Sequence, residues 1–242
     1  MDPNYAERYR ELFNRHWWWR ARTEFIVHTL DRLQPSQGWA DILDVGCGDG
    51  LLFDRLSHFG SVEGVEPDAA LVNPNNPYFN QIYIRPFDCS FRPGKLYSLI
   101  LMLDVLEHLE DPVAALKHVT TLLQPAGTLI VTVPAFRALW TNHDLVNHHV
   151  DRYTKARFKL LANQAGLHVI EYRYFYHWTF VAKLGVRAYE RLMRPAPTPA
   201  SVPPHFLNQP LYWLSRLEQE TISQLPVPFG SSLMVVARKV HK

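Results

Sequence analysis

The chain has 242 residues, 47% of them hydrophobic, 13% aromatic and 20% charged, with a net charge of +2. That length supports one core burying about 70% of the unfolded surface, and these fractions exclude a disordered or collagen-like chain. Two cysteines, Cys47 and Cys89, exclude a disulfide framework and a four-thiolate zinc site, and the balanced, well-mixed charge lacks the footprint of a nucleic-acid binder.

Met1 to Tyr5 carry no basic region leading into an apolar core, and the longest apolar stretch, Leu99 to Leu103, stops at Asp104. Neither a signal peptide nor a spanning helix is expected, and the few cysteines point to a reducing, cytoplasmic setting. Residues 1–33 read as helix, because Tyr5, Tyr9, Phe13 and Trp17 recur every fourth residue and Pro35 follows. Ile42–Val45 is a strand, Gly46 to Gly50 a turn and Leu51–His58 a helix. Val62–Glu66, Ile82–Ile84 and Leu96–Leu103 are further strands, with a turn at Asn73–Pro77 between the first two. Asp111 caps a helix over Val113–Leu123 with Pro112 at its first position, and Thr128–Val133 is the next strand.

Strands alternating with helices at this spacing predict an α/β fold with a largely parallel sheet, whose ligands sit at the strand carboxyl ends. Residues 134–153 show little regular pattern, and a loop that long in a compact domain is usually functional or disordered. A helix over Lys155–Ala165 and a strand over His168–Tyr176 follow. Helices over Thr179–Arg194 and Leu207–Leu225, joined by the proline-rich 195–199, precede a last strand over Ser231–Val240. The expected divisions are an N-terminal helical lid at 1–34, a cofactor-binding core at 35–178, a helical insertion at 179–228 and a final core strand at 229–242.

The turn Asp44-Val45-Gly46-Cys47-Gly48-Asp49-Gly50 links a strand to a helix, so its glycines let backbone N–H groups approach a ligand. Glu66, at the end of the next strand, falls where a carboxylate meets ribose hydroxyls in a doubly wound sheet. The Gly46-x-Gly48-x-Gly50 spacing differs from the G-x-G-x-x-G of dinucleotide binders and argues against a nicotinamide cofactor. At these residues the chain resembles the class I S-adenosylmethionine-dependent methyltransferases, over residues 40–176 and again in the closing strand. The resemblance implies a seven-stranded Rossmann-like sheet with an antiparallel last strand and S-adenosylmethionine as cofactor. It places the methionine end at Asp44, Gly46, Cys47, Gly48 and Gly50, the ribose at Glu66 and Pro67, and the adenine at Asp88 and Cys89. Leu103, Asp104 and His108 complete the expected cofactor contacts.

Asp104, Glu107 and His108 share one face of a helical turn and could ligate a divalent ion. The segment resembles the ubiquinone-biosynthesis O-methyltransferases, some of which carry a similar acidic and histidine metal cluster. Mg²⁺ at Asp104, Glu107 and His108 therefore stands beside a second reading, in which Glu107 and His108 orient the methionine end. The loop Trp140 to Tyr153 is the candidate acceptor contact, because a hydroxyl acceptor must lose a proton: His143, Asp144 and His149 are the candidate bases or orienting groups.

His16-Trp17-Trp18-Trp19-Arg20-Ala21-Arg22 fits either core or a lid in which Arg20 or Arg22 meets the cofactor carboxylate. Methyltransferases of bacterial glycan and lipid-linked sugar synthesis are similar here. Lys183, Arg187, Arg191 and Arg194 form a basic row over 179–194, which suits an anionic membrane surface, a phosphorylated substrate or plain solvent. Together these features predict a methyltransferase of small-molecule acceptors, most simply at oxygen. The rivals are a non-catalytic cofactor-binding module and a nicotinamide-dependent oxidoreductase.

Overall fold

Strands that are apolar on both faces need cover on both sides, and this dictates the layering. In the computed structural model, which describes residues 5–240, seven strands form one sheet: β1 (Asp41–Val45), β2 (Ser61–Glu66), β3 (Ile82–Ile84), β4 (Tyr97–Leu103), β5 (Leu123–Pro134), β6 (Leu167–Phe175) and β7 (Ser232–Lys239). Their order is β3-β2-β1-β4-β5-β7-β6, with β7 antiparallel to β5 and β6 and the other pairs parallel. The expected sheet and its antiparallel last strand are present. Chain order reverses between β1 and β4, so the loops leaving these strands diverge and open a crevice at the carboxyl edge.

The helices are α1 (Tyr5–Arg15), α2 (Trp17–Leu33), α3 (Phe53–Leu56), α4 (Pro112–Leu122), α5 (Asn142–Val146), α6 (Lys155–Gln164), α7 (His177–Met193) and α8 (His205–Glu220). Successive residues of β4 face opposite sides, as the strand period requires. Ile100 and Met102 pack with Leu116 and Val119 of α4 and Phe158 of α6. Leu99 and Leu101 pack with Phe25, Ile26 and Leu30 of α2. One face of α2 is thus part of the core.

Three expectations need correction. The helix expected over 1–33 is broken at His16, whose extended backbone leaves the helix while its Nδ1 accepts the Trp18 N–H at 3.1 Å; residues 1–4 of that expectation, like 241–242 at the other end, lie outside the described residues. The helix expected at 51–58 shrinks to α3 between turns. The stretch 134–153 holds a 3-10 turn, Arg137–Leu139, and the short α5, which Thr141 and Asp144 stabilise by reciprocal capping. By contrast, Asp111 caps α4 by accepting the Ala114 N–H, with Pro112 at the first helical position.

Candidate active site

The glycine turn leaves β1 at the crevice. Gly46 has φ +72°, and a Cβ on it would lie 2.7 Å from Val105 Cγ2, so both conformation and space demand glycine. The Gly48 N–H donates to Glu66 Oε2 at 2.9 Å and the Asp68 N–H to Oε1 at 3.0 Å, which ties the end of β2 to the turn. Each Glu66 oxygen keeps a lone pair for a further donor. Burial pushes the Asp44 carboxyl up to about 7; the Arg22 guanidinium opposes this and Glu66 reinforces it. Burial likewise raises Glu66. Both acids are desolvated in a way that a ligand carrying an ammonium and hydroxyl donors would relieve. Cys47 offers only its backbone to the crevice, because its thiol is buried against Gly64, where a Cβ would lie 2.4 Å from its sulfur. Helix α1 covers the turn: Tyr9 lies 3.7 Å from where a Gly48 Cβ would sit, and Arg10 pairs with Asp49.

The other half of the crevice is made where β4, β5 and β6 end. Asp104, Phe136 and Tyr176 follow these strands, and all three adopt positive φ without being glycine. Such strain clusters where surrounding structure must enforce it, commonly at functional sites. Asp104 pairs with Arg22 at 2.7 Å and accepts the Thr132 hydroxyl at 3.1 Å. Glu107 is 1% exposed, and its Oε2 is buried without a partner. Burial, reinforced by Asp104, raises its carboxyl well above the usual range.

One ligand atom from each of Glu107, His108 and His149 falls within 4.8 Å of the others. His149 is fixed from behind, its Nδ1 lying 2.8 Å from Asp144 Oδ1. Asp144 is fully buried and also accepts from Thr141 N at 2.9 Å, Arg152 Nε at 2.8 Å and Arg152 Nη2 at 3.1 Å. Burial alone would raise this carboxyl, but the donors from His149 and Arg152 hold it well below the usual carboxylate range. Arg152 Nη1 donates in turn to Ala135 O, which anchors the pair to the end of β5. Burial and the neighbouring His149 lower the His108 imidazole, favouring its neutral form.

Helix α7 closes this side. Arg187 donates to Ala138 O, and Glu190 accepts the Asn142 N–H at 3.0 Å, so this face of α7 is turned onto the loop after β5. Lys183, one turn before Arg187, lies electrostatically among Asp104, His143, Asp144 and Arg152. Burial presses its amine down to about 8, with Arg152 adding to the effect.

The structure therefore brings Asp144 and His149 together with Glu107 and His108. Asp104, expected beside Glu107 and His108 as a ligand, faces Arg22 instead, because the guanidinium satisfies it. His143 is an exposed residue of α5, its ring centroid 6.2 Å from that of His149. Arg22 reaches the crevice, whereas Arg20 turns to α8, over the Tyr212 ring and onto Gln209. Asp88 and Cys89 lie in an exposed turn after β3, where Asp88 accepts the Ser90 N–H. Pro67 is exposed beside Glu66, and Leu103 is half-buried at the end of β4. Arg152, Thr132 and Lys183 were not among the sequence candidates. Lys183 read only as part of the basic row over 179–194. Only the contacts across the fold distinguish them.

A family described as methyltransferase domain matches residues 18–172. The ubiquinone biosynthesis O-methyltransferase of Vibrio vulnificus (strain YJ016) is 27% identical over 144 residues, covering 52% of this chain and 60% of that protein. The chain thus spans about three fifths of that relative's length. Among solved structures, the N-methyltransferase NodS from Bradyrhizobium japonicum WM9, in complex with S-adenosyl-l-homocysteine, has a TM-score of 0.56 at 15% identity and covers 99% of this chain and 100% of NodS. An S-adenosylmethionine-dependent methyltransferase from Archaeoglobus fulgidus has a TM-score of 0.52 at 15% identity, covering 90% of this chain and 94% of its own. At these identities the two structures share the fold.

Proposed function

We propose that this chain, which belongs to the methyltransferase domain family, transfers a methyl group from S-adenosylmethionine to an oxygen of a small-molecule acceptor. The observation that carries this reading is the Asp144–His149 pair, built into the carboxyl edge beside the crevice between β1 and β4. S-adenosylmethionine, when bound, supplies an electrophilic methyl group. Glu66 would accept ribose hydroxyls, and Asp44 with the 46–50 turn would receive the methionine end. Arg22, already paired with Asp104, would meet the cofactor carboxylate.

Deprotonation of the acceptor falls to His149. Its Nδ1 is held by Asp144, so Nε2 is the nitrogen available to take the hydroxyl proton, and the resulting imidazolium is stabilised by a carboxylate that stays charged. Asp144 itself is a poor base with three groups already donating to it, so its role is to orient. Lys183 and the loop after β5 would meet the acceptor.

A second reading has its own observation. The unpartnered, buried Oε2 of Glu107 beside His108 and His149 fits a divalent cation held by these three, with Asp144 setting the imidazole from behind. The cation would supply Lewis acidity to the acceptor oxygen. The test of function is incubation with isotopically methyl-labelled S-adenosylmethionine and a panel of phenols and sugar hydroxyls, with products read by mass. Label on an acceptor oxygen, lost in His149→Ala, is the expected result; label on nitrogen or carbon alone contradicts it. Activity that survives both chelator and Glu107→Gln would eliminate the cation.

A further inference from the structure

Two helices of the 177–220 segment carry their polarity reversed. α7 turns Lys183, Arg187 and Glu190 inward and leaves Val181, Leu184, Tyr189 and Leu192 exposed. α8 buries Asn208, Ser215, Glu218 and Gln219 while exposing Phe206, Trp213 and Leu217. Four of the inward polar groups have a structural use. Asn208 Oδ1 accepts the Trp17 N–H at 2.8 Å and Glu218 accepts the Trp178 N–H at 2.9 Å. Ser215 Oγ accepts from Trp178 Nε1 at 3.2 Å, and Glu190 caps the start of α5.

The outward groups have no such explanation. Leu192 is 81% exposed, Phe206 72%, Trp213 63% and Leu217 61%. A helix ordinarily buries its apolar stripe, and monomers rarely expose apolar patches of more than a few hundred Å² without using them. Reversal on two consecutive helices marks a face that water does not normally cover.

Charge on this face is sorted as well. Glu190, the one acid of α7, and Glu218 of α8 are withdrawn toward the body, and the exposed Glu220 of α8 is paired with Arg216, whereas Arg191 and Arg194 remain outward. The expected basic row is thereby corrected: Lys183 and Arg187 serve the crevice, and only its last two members face out. The result is two exposed apolar helix faces, with Tyr189 on α7 and Trp213 on α8, and two exposed arginines at the end of α7. That composition suits the boundary between acyl chains and anionic headgroups. No helix among the described residues is long and apolar enough to cross a membrane, so the contact is one of lying on the surface.

We propose that the outer face of α7 and α8 seats this protein on an anionic lipid bilayer. The experiment is co-sedimentation of the full chain with vesicles of phosphatidylcholine alone and of phosphatidylcholine mixed with phosphatidylglycerol. Wild-type protein is expected to sediment with the mixed vesicles, and less so as salt rises. Leu192→Glu with Leu217→Glu should abolish sedimentation, and Arg191→Glu with Arg194→Glu should weaken it by roughly tenfold or more. These positions are exposed, so an unchanged melting temperature and unchanged S-adenosylhomocysteine binding confirm that the variants fold. Failure of the wild type to sediment with either vesicle, or equal sedimentation of the leucine variant, overturns the proposal. A concentration-dependent dimer that the leucine variant abolishes would assign the face to a second copy and overturn it as well.

Discussion

Asp44 and Glu66 on one side of the crevice and Asp144 on the other handle buried charge in opposite ways. Around β1 and β2, Asp44 and Glu66 are desolvated and pushed upward, with backbone N–H groups and one guanidinium as their support. Beyond β4, Asp144 is more deeply buried and yet pressed downward, because Thr141, His149 and Arg152 all donate to it. The difference teaches which charges the protein completes by itself and which it leaves for a ligand. The first half is poised to receive groups from a cofactor; in the second, Asp144 is completed by its own donors, and Glu107 keeps one buried oxygen without a partner.

The sharpest way to break this contrast is to remove the donor that completes the second half. Arg152→Met leaves a fully buried carboxylate short of two N–H groups and should lower stability by about 3–5 kcal/mol in urea unfolding. Adding Asp144→Asn should recover part of that loss. A loss below about 1 kcal/mol, the value for exposed pairs, would mean that the pair is not the internal support described here.

His149→Ala should lower turnover by roughly 10²–10³-fold while leaving S-adenosylhomocysteine affinity unchanged, because the base acts on the acceptor alone. A variant that loses both together would show that the two halves are not separable.

Gly46→Ala addresses the first half. It imposes a side chain at φ +72° and 2.7 Å from Val105 Cγ2, so a cost of about 1–3 kcal/mol is expected, read as weaker cofactor binding or a lower melting temperature.

A further expected effect is on pH dependence. Asp44 is raised to about 7, so in the ligand-free fold it holds a proton that the unfolded chain releases near 4. Stability of the free protein should therefore decline between those two values and level off above 7. A cofactor ammonium favours the ionised carboxylate, so S-adenosylhomocysteine affinity should rise by up to about tenfold per pH unit below 7 and then flatten. In Asp44→Asn the slope should disappear; a slope unchanged by the substitution would assign the titration to another group.

The same contrast explains what was legible in the sequence. The glycine turn, Glu66 and the Asp111–Pro112 cap are local devices, in which the chemistry lies within a few residues of the strand or helix end that uses it. The second half depends on partners far apart in the chain: Arg22 with Asp104, Arg152 with Ala135, Lys183 among residues of two loops. Periodicity placed Lys183, Arg187, Arg191 and Arg194 along one helix, but it carries no information on which way that helix faces its neighbours. Nor could it show that His16 would interrupt the N-terminal helix by capping its own successor. Asp104 read as a metal ligand from its spacing alone, and only the approach of α2 reveals the guanidinium that occupies it.

The central claim is that the first half of the crevice is an adenosyl site completed by its ligand. Calorimetric titration with S-adenosylhomocysteine, on the wild type and on Glu66→Ala, tests it most directly. Micromolar binding is expected in the wild type, with a loss of about tenfold or more in the variant, the equivalent of roughly one charge-assisted hydrogen bond. Absence of binding to the wild type, or equal binding to both proteins, would contradict it.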